Sequence, residues 1–280
     1  MGNFQAFVVR GTSGPVVTLQ AGVDFGGYYW TTTSRRAAKV SALRRDSSAS
    51  VLSRNNDTWR LRTGRGIVVD PARPPQAVRE LPVFALAGSA LALIAVRFPE
   101  QLLGYVADAA STPKAWRLHH RVLIAVRHEE ELVWTDDGAI THQTNRFRND
   151  FDAHPTPAQR PRRRPTATHP GRASLLDVDG TCWLGLDSDA GPIALPGGWR
   201  ASTSTVGVPA AILAAVNARL PGRACVTKDD SDSPRPSDKS GIIGRGHASL
   251  PRIRAGVASI VIDIDSTTTW NGFRSTATAA

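Results

Sequence analysis

Apolar and polar residues alternate with a period of two through much of the first seventy positions, the spacing of half-buried strands. Phe4-Gln5-Ala6-Phe7-Val8-Val9-Arg10 and Val16-Val17-Thr18-Leu19-Gln20 flank the turn Gly11-Thr12-Ser13-Gly14-Pro15 and predict a hairpin. Tyr28-Tyr29-Trp30-Thr31-Thr32-Thr33, aromatic and β-branched throughout, predicts a third strand. The period then changes: from Ser34 to Asp46 good helix formers predominate, and Ser34 is a fitting N-cap for a short helix. Ser50-Val51-Leu52-Ser53 and the segment from Trp59 to Val69 predict a second hairpin around Asn55-Asn56-Asp57. Pro82 opens an apolar helical patch reaching Val96, broken at Phe98-Pro99 and resuming to about Ala110. Two further strands follow, Arg121 to Arg127 and Glu131 to Trp134.

Residues 139–172 contain almost no large apolar side chain, and Arg160-Pro161-Arg162-Arg163-Arg164-Pro165 at their centre gives them the composition of a basic Pro/Arg-rich linker. Beyond them the order of elements begins again. Gly14-Pro15-Val16-Val17 has a counterpart in Gly191-Pro192-Ile193-Ala194, the helix around Ala37 in Pro209 to Arg219, and Ser50 to Ser53 in Ala224 to Thr227. Gly64-Arg65-Gly66 is matched by Gly244-Arg245-Gly246. Four matches in one order predict an internal repeat.

Charge adds one refinement. The chain of 280 residues carries +10, distributed as +5 over residues 1–138, +5 over 139–172 and zero over 173–280. The basic tract invites a nucleic-acid reading, but its arginines are separated by prolines and no aromatic stacking platform accompanies them, so a solvated tether is expected and no specific nucleic-acid partner. The longest uncharged apolar run, Val83 to Val96, is short of the ~18 residues of a membrane span, so no membrane is expected to be engaged. Two cysteines cannot form a disulfide framework, and with no apolar leader at the N-terminus the expected location is the cytoplasm.

The order strand, Gly-Pro turn, strand, aromatic strand ending in Thr, basic helix, hairpin and Gly-x-Gly strand resembles the split β-barrel flavoproteins of the pyridoxamine 5'-phosphate oxidase-like superfamily. The similarity is carried by Thr31-Thr32-Thr33-Ser34, Lys39, Arg45-Asp46 and Trp59 to Gly66, within the stretch Gly14 to Asp70. The resemblance implies a mainly β fold with a few helices: two split β-barrel domains, 1–138 with a helical insertion at 72–118 and a degenerate 173–280, associating as an intramolecular pseudo-dimer in a chain that needs no second copy. In the second half Ser204 to Pro209 takes the place of the basic segment Ser34 to Lys39. The resemblance further implies a flavin mononucleotide (FMN) or deazaflavin coenzyme, an oxidoreductase activity and a small-molecule substrate. A non-catalytic flavin- or ligand-binding protein, or haem binding on the same fold, is the alternative.

For the cofactor phosphate the candidates are Thr32, Thr33, Ser34, Arg35 and Lys39: Arg35 and Lys39 stand four apart, as on one helical face, beside the positive end of a short helix. The same basic residues also suit the solvated side of an amphipathic helix. Trp59 and Arg65 are candidates to border the ring, although aromatic residues on barrel strands commonly serve the core. One departure stands out: the second strand, Val16 to Gln20, lacks the arginine that family oxidases use for phosphate. His119, His120 and His128 lack metal-ligand spacing, so no metal site is expected. Cys182 and Cys225 are expected to be buried as small hydrophobes.

Overall fold

The computed structural model describes residues 5–73, 80–108, 112–113, 117, 120–144, 147, 175–229 and 235–279. Residues 148–172 of the expected linker, with the arginine tract, lie outside the described residues, as does His119. The first half contains β1 (Gln5–Gly11), β2 (Gly14–Gln20), β3 (Gly22–Phe25), β4 (Tyr28–Ser34), α1 (Ala38–Arg45), β5 (Ser48–Asn55), β6 (Thr58–Val69), α2 (Leu81–Arg97), α3 (Pro99–Ala107), β7 (Arg121–Thr135) and β8 (Ile140–Gln143). The second contains β9 (Gly180–Ser188), β10 (Gly191–Arg200), β11 (Thr205–Pro209), α4 (Ala210–Ala215), β12 (Gly222–Asp229), β13 (Ser240–Ala248), β14 (Arg252–Arg254), β15 (Val257–Asn271) and β16 (Arg274–Ala279).

Two antiparallel eight-stranded sheets result. The first runs β2-β1-β5-β6-β7-β4-β3 with β8 on β7, and only Ala21 separates β2 from β3, so the sheet returns on itself as a barrel. In the second, β10 follows the combined course of β2 and β3 without a break; it pairs with β9 and β11, and β11 closes onto β15. Closure removes the exposed edges that an open sheet would present. The fold is thus mainly β, in two split-barrel domains.

The two barrels correspond position by position. Both first hairpins carry a glycine at φ +114°, Gly14 and Gly191. Ala49 pairs with Gly64, and Ala224 with Gly246. Each of these glycines adjoins a break in register and would bring a Cβ to 1.9 Å from a carbonyl oxygen of the facing strand, that of Arg127 or of Asp263. The counterpart of Gly64 is therefore Gly246 and not Gly244. The Gly-Arg-Gly triplets align out of step because only one glycine of each meets the bulge. Likewise, Ser34 pairs with Arg121 as Pro209 pairs with Val257, so the counterpart of Ser34 is Pro209 and not Ser204.

The halves associate about a pseudo-twofold relation. β2 packs on β9 and β12 while its counterpart β10 packs on β1 and β5. Such reciprocity is the mark of an isologous interface. A Cβ at Gly14 would meet Arg223, and one at Gly191 would approach Ser48, which are again corresponding positions. Arg10 and Asp187, each opposite the proline of its own hairpin, meet each other at 2.9 Å. One apolar core runs through the junction, joining Val8, Leu61 and Trp134 to Leu184, Ile193 and Val226.

Three expectations are corrected. The residues expected to begin the linker instead form β8 on β7; Thr144 then bonds Glu131, and Phe147 is buried in the shared core. Arg121 to Trp134 is one continuous strand, its polar centre lying opposite the bulge at Thr63/Gly64. Finally, α1 starts at Ala38 with Ala37 as an extended cap that makes no side-chain bond, because Ser34 is held in β4 by pairing with Arg121. Ser34 Oγ accepts the Arg36 N–H at 3.3 Å.

Candidate functional site

With the helix beginning three residues later than expected, at Ala38 and not Arg35, Arg35 and Lys39 do not share a helical face. Arg35, in the turn before α1, pairs with the buried carboxylate of Asp70 at 2.8 Å. Lys39, in the first turn, sends its ammonium across to β2 and donates to the Thr18 hydroxyl at 3.1 Å. The Gln20 amide donates to the same oxygen at 3.1 Å, and Gln20 Oε1 accepts from Thr31 at 2.9 Å. Arg121 lies close by, its guanidinium bonded to the Thr32 hydroxyl at 2.8 Å, the Thr32 carbonyl at 2.9 Å and the Tyr105 hydroxyl at 2.8 Å. Lys39 is thus a cation held by a neutral hydroxyl and facing a second cation. Burial first, and then the Arg121 charge, lowers its pKa to about 7.

Beside this cluster a cavity of about 530 Å³ opens between the halves. One wall is the β1–β2 turn with Ala38, Ser41 and Arg45, which recur at three- and four-residue steps on one face of α1. Val16 also lines it, and Thr18, which takes Lys39, stands two residues on along the same side of β2. The opposite wall comes from the second half: Arg245 of β13, residues 266–268 of β15 and residues 277–279 of β16. Arg245 bonds the Thr268 hydroxyl at 2.8 Å. Among the described residues neither Arg45, Arg245 nor Lys39 has a carboxylate within salt-bridge distance. The lining therefore combines hydroxyls with two cations, Arg45 and Arg245, that have no carboxylate partner among the described residues, an arrangement suited to a phosphate or carboxylate.

The structure brings Thr32 and Lys39 together through Arg121, with Thr33 and Ser34 buried next in the strand. Trp59 and Arg65 stand elsewhere on β6. Trp59 stacks on Trp134, meets Trp183 edge-on and donates to Asp136 at 2.7 Å, while Arg65 is mostly exposed beside Glu129. Thr18, Gln20, Arg121 and the cavity arginines were not singled out from the sequence, although the Gly-Arg-Gly match had marked the segment holding Arg245. Val257 stands where Arg121 does, and the segment after Pro209, α4 from Ala210 to Ala215, contains no cation, so the second half lacks this basic cluster. Cys182 and Cys225 are free and buried, which pushes their thiols up to about 12 and about 11.

Lys39 has a measurable signature. Its folded pKa lies below its ordinary 10.5, so between about pH 7 and 10.5 the unfolded chain binds the proton that the folded chain has released, and its contribution to stability rises with pH across that window. Lys39→Met is expected to be more stable than the parent at pH 7 and to lose this part of the slope. Urea midpoints of both proteins at pH 7 and pH 9 measure it; parallel changes in the two would show that Lys39 titrates normally.

No family model matches the chain, and no curated protein matches it. Among solved structures it is similar to a pyridoxamine 5'-phosphate oxidase-related, FMN-binding protein from Nostoc punctiforme, with 9% identity over 49% of this chain and 76% of that one and a TM-score of 0.34. It is also similar to HutZ, a haem storage protein from Vibrio cholerae (13% identity, 49% and 88% covered, TM-score 0.33). A NimC/NimA family protein from Clostridium acetobutylicum is similar at 11% identity, with 49% and 83% covered and a TM-score of 0.31.

Proposed function

We propose that the chain holds a phosphate-bearing ring cofactor, FMN or a deazaflavin, in the groove between its halves and acts as an oxidoreductase on a small molecule. The observation that supports this reading is the placement of Arg45 and Arg245 on opposite walls of one cavity whose lining contains no carboxylate. The hydroxyl-rich lining and the volume suit a ligand of that kind. The choice of flavin rests on the likeness of Thr31 to Lys39 to the oxidase-like pattern. The arginine missing from β2 has a substitute here, since Lys39 delivers its charge to Thr18 on that strand and Arg245 adds another from across the junction. Bound there, the ring supplies hydride chemistry, while the chain's residues bind the anion, orient it and keep water from its buried side.

The test is the visible spectrum of the protein after mixing with FMN or a deazaflavin and gel filtration. A retained flavin-type spectrum is expected. Arg245→Ala and Lys39→Met should each weaken binding by about ten- to a hundredfold, the loss of one charged hydrogen bond, while Arg65→Ala leaves it unchanged. A colourless protein that retains neither cofactor overturns the reading, and a haem band redirects it to the haem alternative.

A further inference from the structure

The helical insertion presents an unusual surface. The sixteen residues from Leu81 to Val96 contain no charge. A surface helix normally opposes its apolar stripe with a polar face. α2 is apolar on both. Its inner side buries Val83 and Ala90 and packs Phe84, Leu86 and Ile94 against Val23, Trp30 and Leu123. Its outer side leaves Leu81, Leu91 and Leu93 38–51% exposed and Val96 77% exposed. α3 continues with Leu102, Leu103 and Val106 at 42%, 66% and 60%. Among the exposed positions of the pair only Arg97 and Glu100 are charged. Patches of this kind mark docking surfaces.

We propose that α2 and α3 dock the protein on an anionic lipid bilayer, lying in the interface without crossing it. Crossing is excluded by geometry. At ~1.5 Å per residue α2 is about 25 Å long, short of the ~30 Å hydrocarbon core, and α3 departs from it at 87°. The inner side of α2 is fixed on the barrel, so only its outer side can meet lipid, and the barrel takes the role that a polar face has in an interfacial helix. Charge selects the occupant: a chain of +10 is drawn to an anionic membrane, whereas two such chains repel each other. The face by which the two halves associate is already occupied within the chain. This departs from the expectation of no membrane contact, which rested on the length of the apolar run; the exposure of that run appears only in the fold.

Co-sedimentation of the full chain with vesicles tests the proposal. It should pellet with vesicles of phosphatidylglycerol and phosphatidylcholine in equal parts and bind phosphatidylcholine alone far more weakly. Val96→Ser with Leu103→Ser removes two exposed side chains and keeps the net charge, so the melting temperature should stay within a few degrees of the parent's while vesicle affinity falls on the order of a hundredfold. A parent that stays in the supernatant with the mixed vesicles overturns the proposal, as does a variant that pellets as well as the parent, since charge alone would then account for binding. If the parent ignores vesicles and scatters light as a dimer that the variant cannot form, the patch belongs to a second copy of the chain.

Discussion

Trp134→Ala is expected to lower the stability of the whole chain by about 3 to 5 kcal/mol, the range for removing a fully buried large aromatic side chain. Trp134 is 2% exposed and stacks on Trp59 at 6.3 Å; Trp59 in turn meets Trp183 of the other half at 5.9 Å. The cavity left by alanine would open inside the core that both halves share, where neither barrel can collapse independently to fill it. Thermal unfolding should remain a single transition, shifted down on the order of ten degrees, given roughly 2 to 4 °C per kcal/mol for chains of such size. A variant that unfolds in two steps, with one step at the parent's midpoint, would show that the second half does not depend on this junction.

Gly64→Ala and Gly246→Ala should each be strongly destabilising, at least about 3 kcal/mol, at the upper end of what overpacking costs. At both, the new Cβ meets a carbonyl oxygen at 1.9 Å, and backbone locked into a strand cannot yield as a side chain can. The neighbouring glycines of the two triplets differ. At Gly66 a Cβ meets the end of Leu43 at 2.7 Å, and at Gly244 the ends of Leu176 and Ile264 at 2.9 Å, atoms that rotation can withdraw. Alanine at Gly66 or Gly244 should therefore be the milder change in each pair. Soluble yield and urea midpoints of the four variants give the ranking, and equal damage at Gly244 and Gly246 would refute the bulge as the cause.

Local signals explain what could be read from the sequence. The β1–β2 and β5–β6 hairpins follow from alternation around turn residues, and α2 and α3 from apolar runs opened by Pro82 and Pro99. The start of α1 was misread because Ser34 satisfies a capping rule locally while its backbone is claimed by Arg121, 87 residues away, and that pairing prevails. For the same reason Lys39 and Thr32 were visible as candidates but their company was not. Thr18, Arg121 and Arg245 reach the site from three other strands, and no spacing along the chain records that. Trp59, which the resemblance makes a candidate to border a ring, packs at the junction, where an aromatic cluster joins the halves.

The contact between Arg10 and Asp187 has a consequence for partnership. These positions correspond, so in a symmetric pair built from two copies of the first half, Arg10 would confront another Arg10, and two copies of the second half would set Asp187 against itself. Either self-pairing places like charges in a partly buried seam, while the mixed pairing joins opposite ones. A position that faces itself cannot hold opposite charges in identical subunits. Carrying both halves on one chain frees it to do so, and each half thereby acquires a preference for its covalent neighbour over the same half of any other molecule.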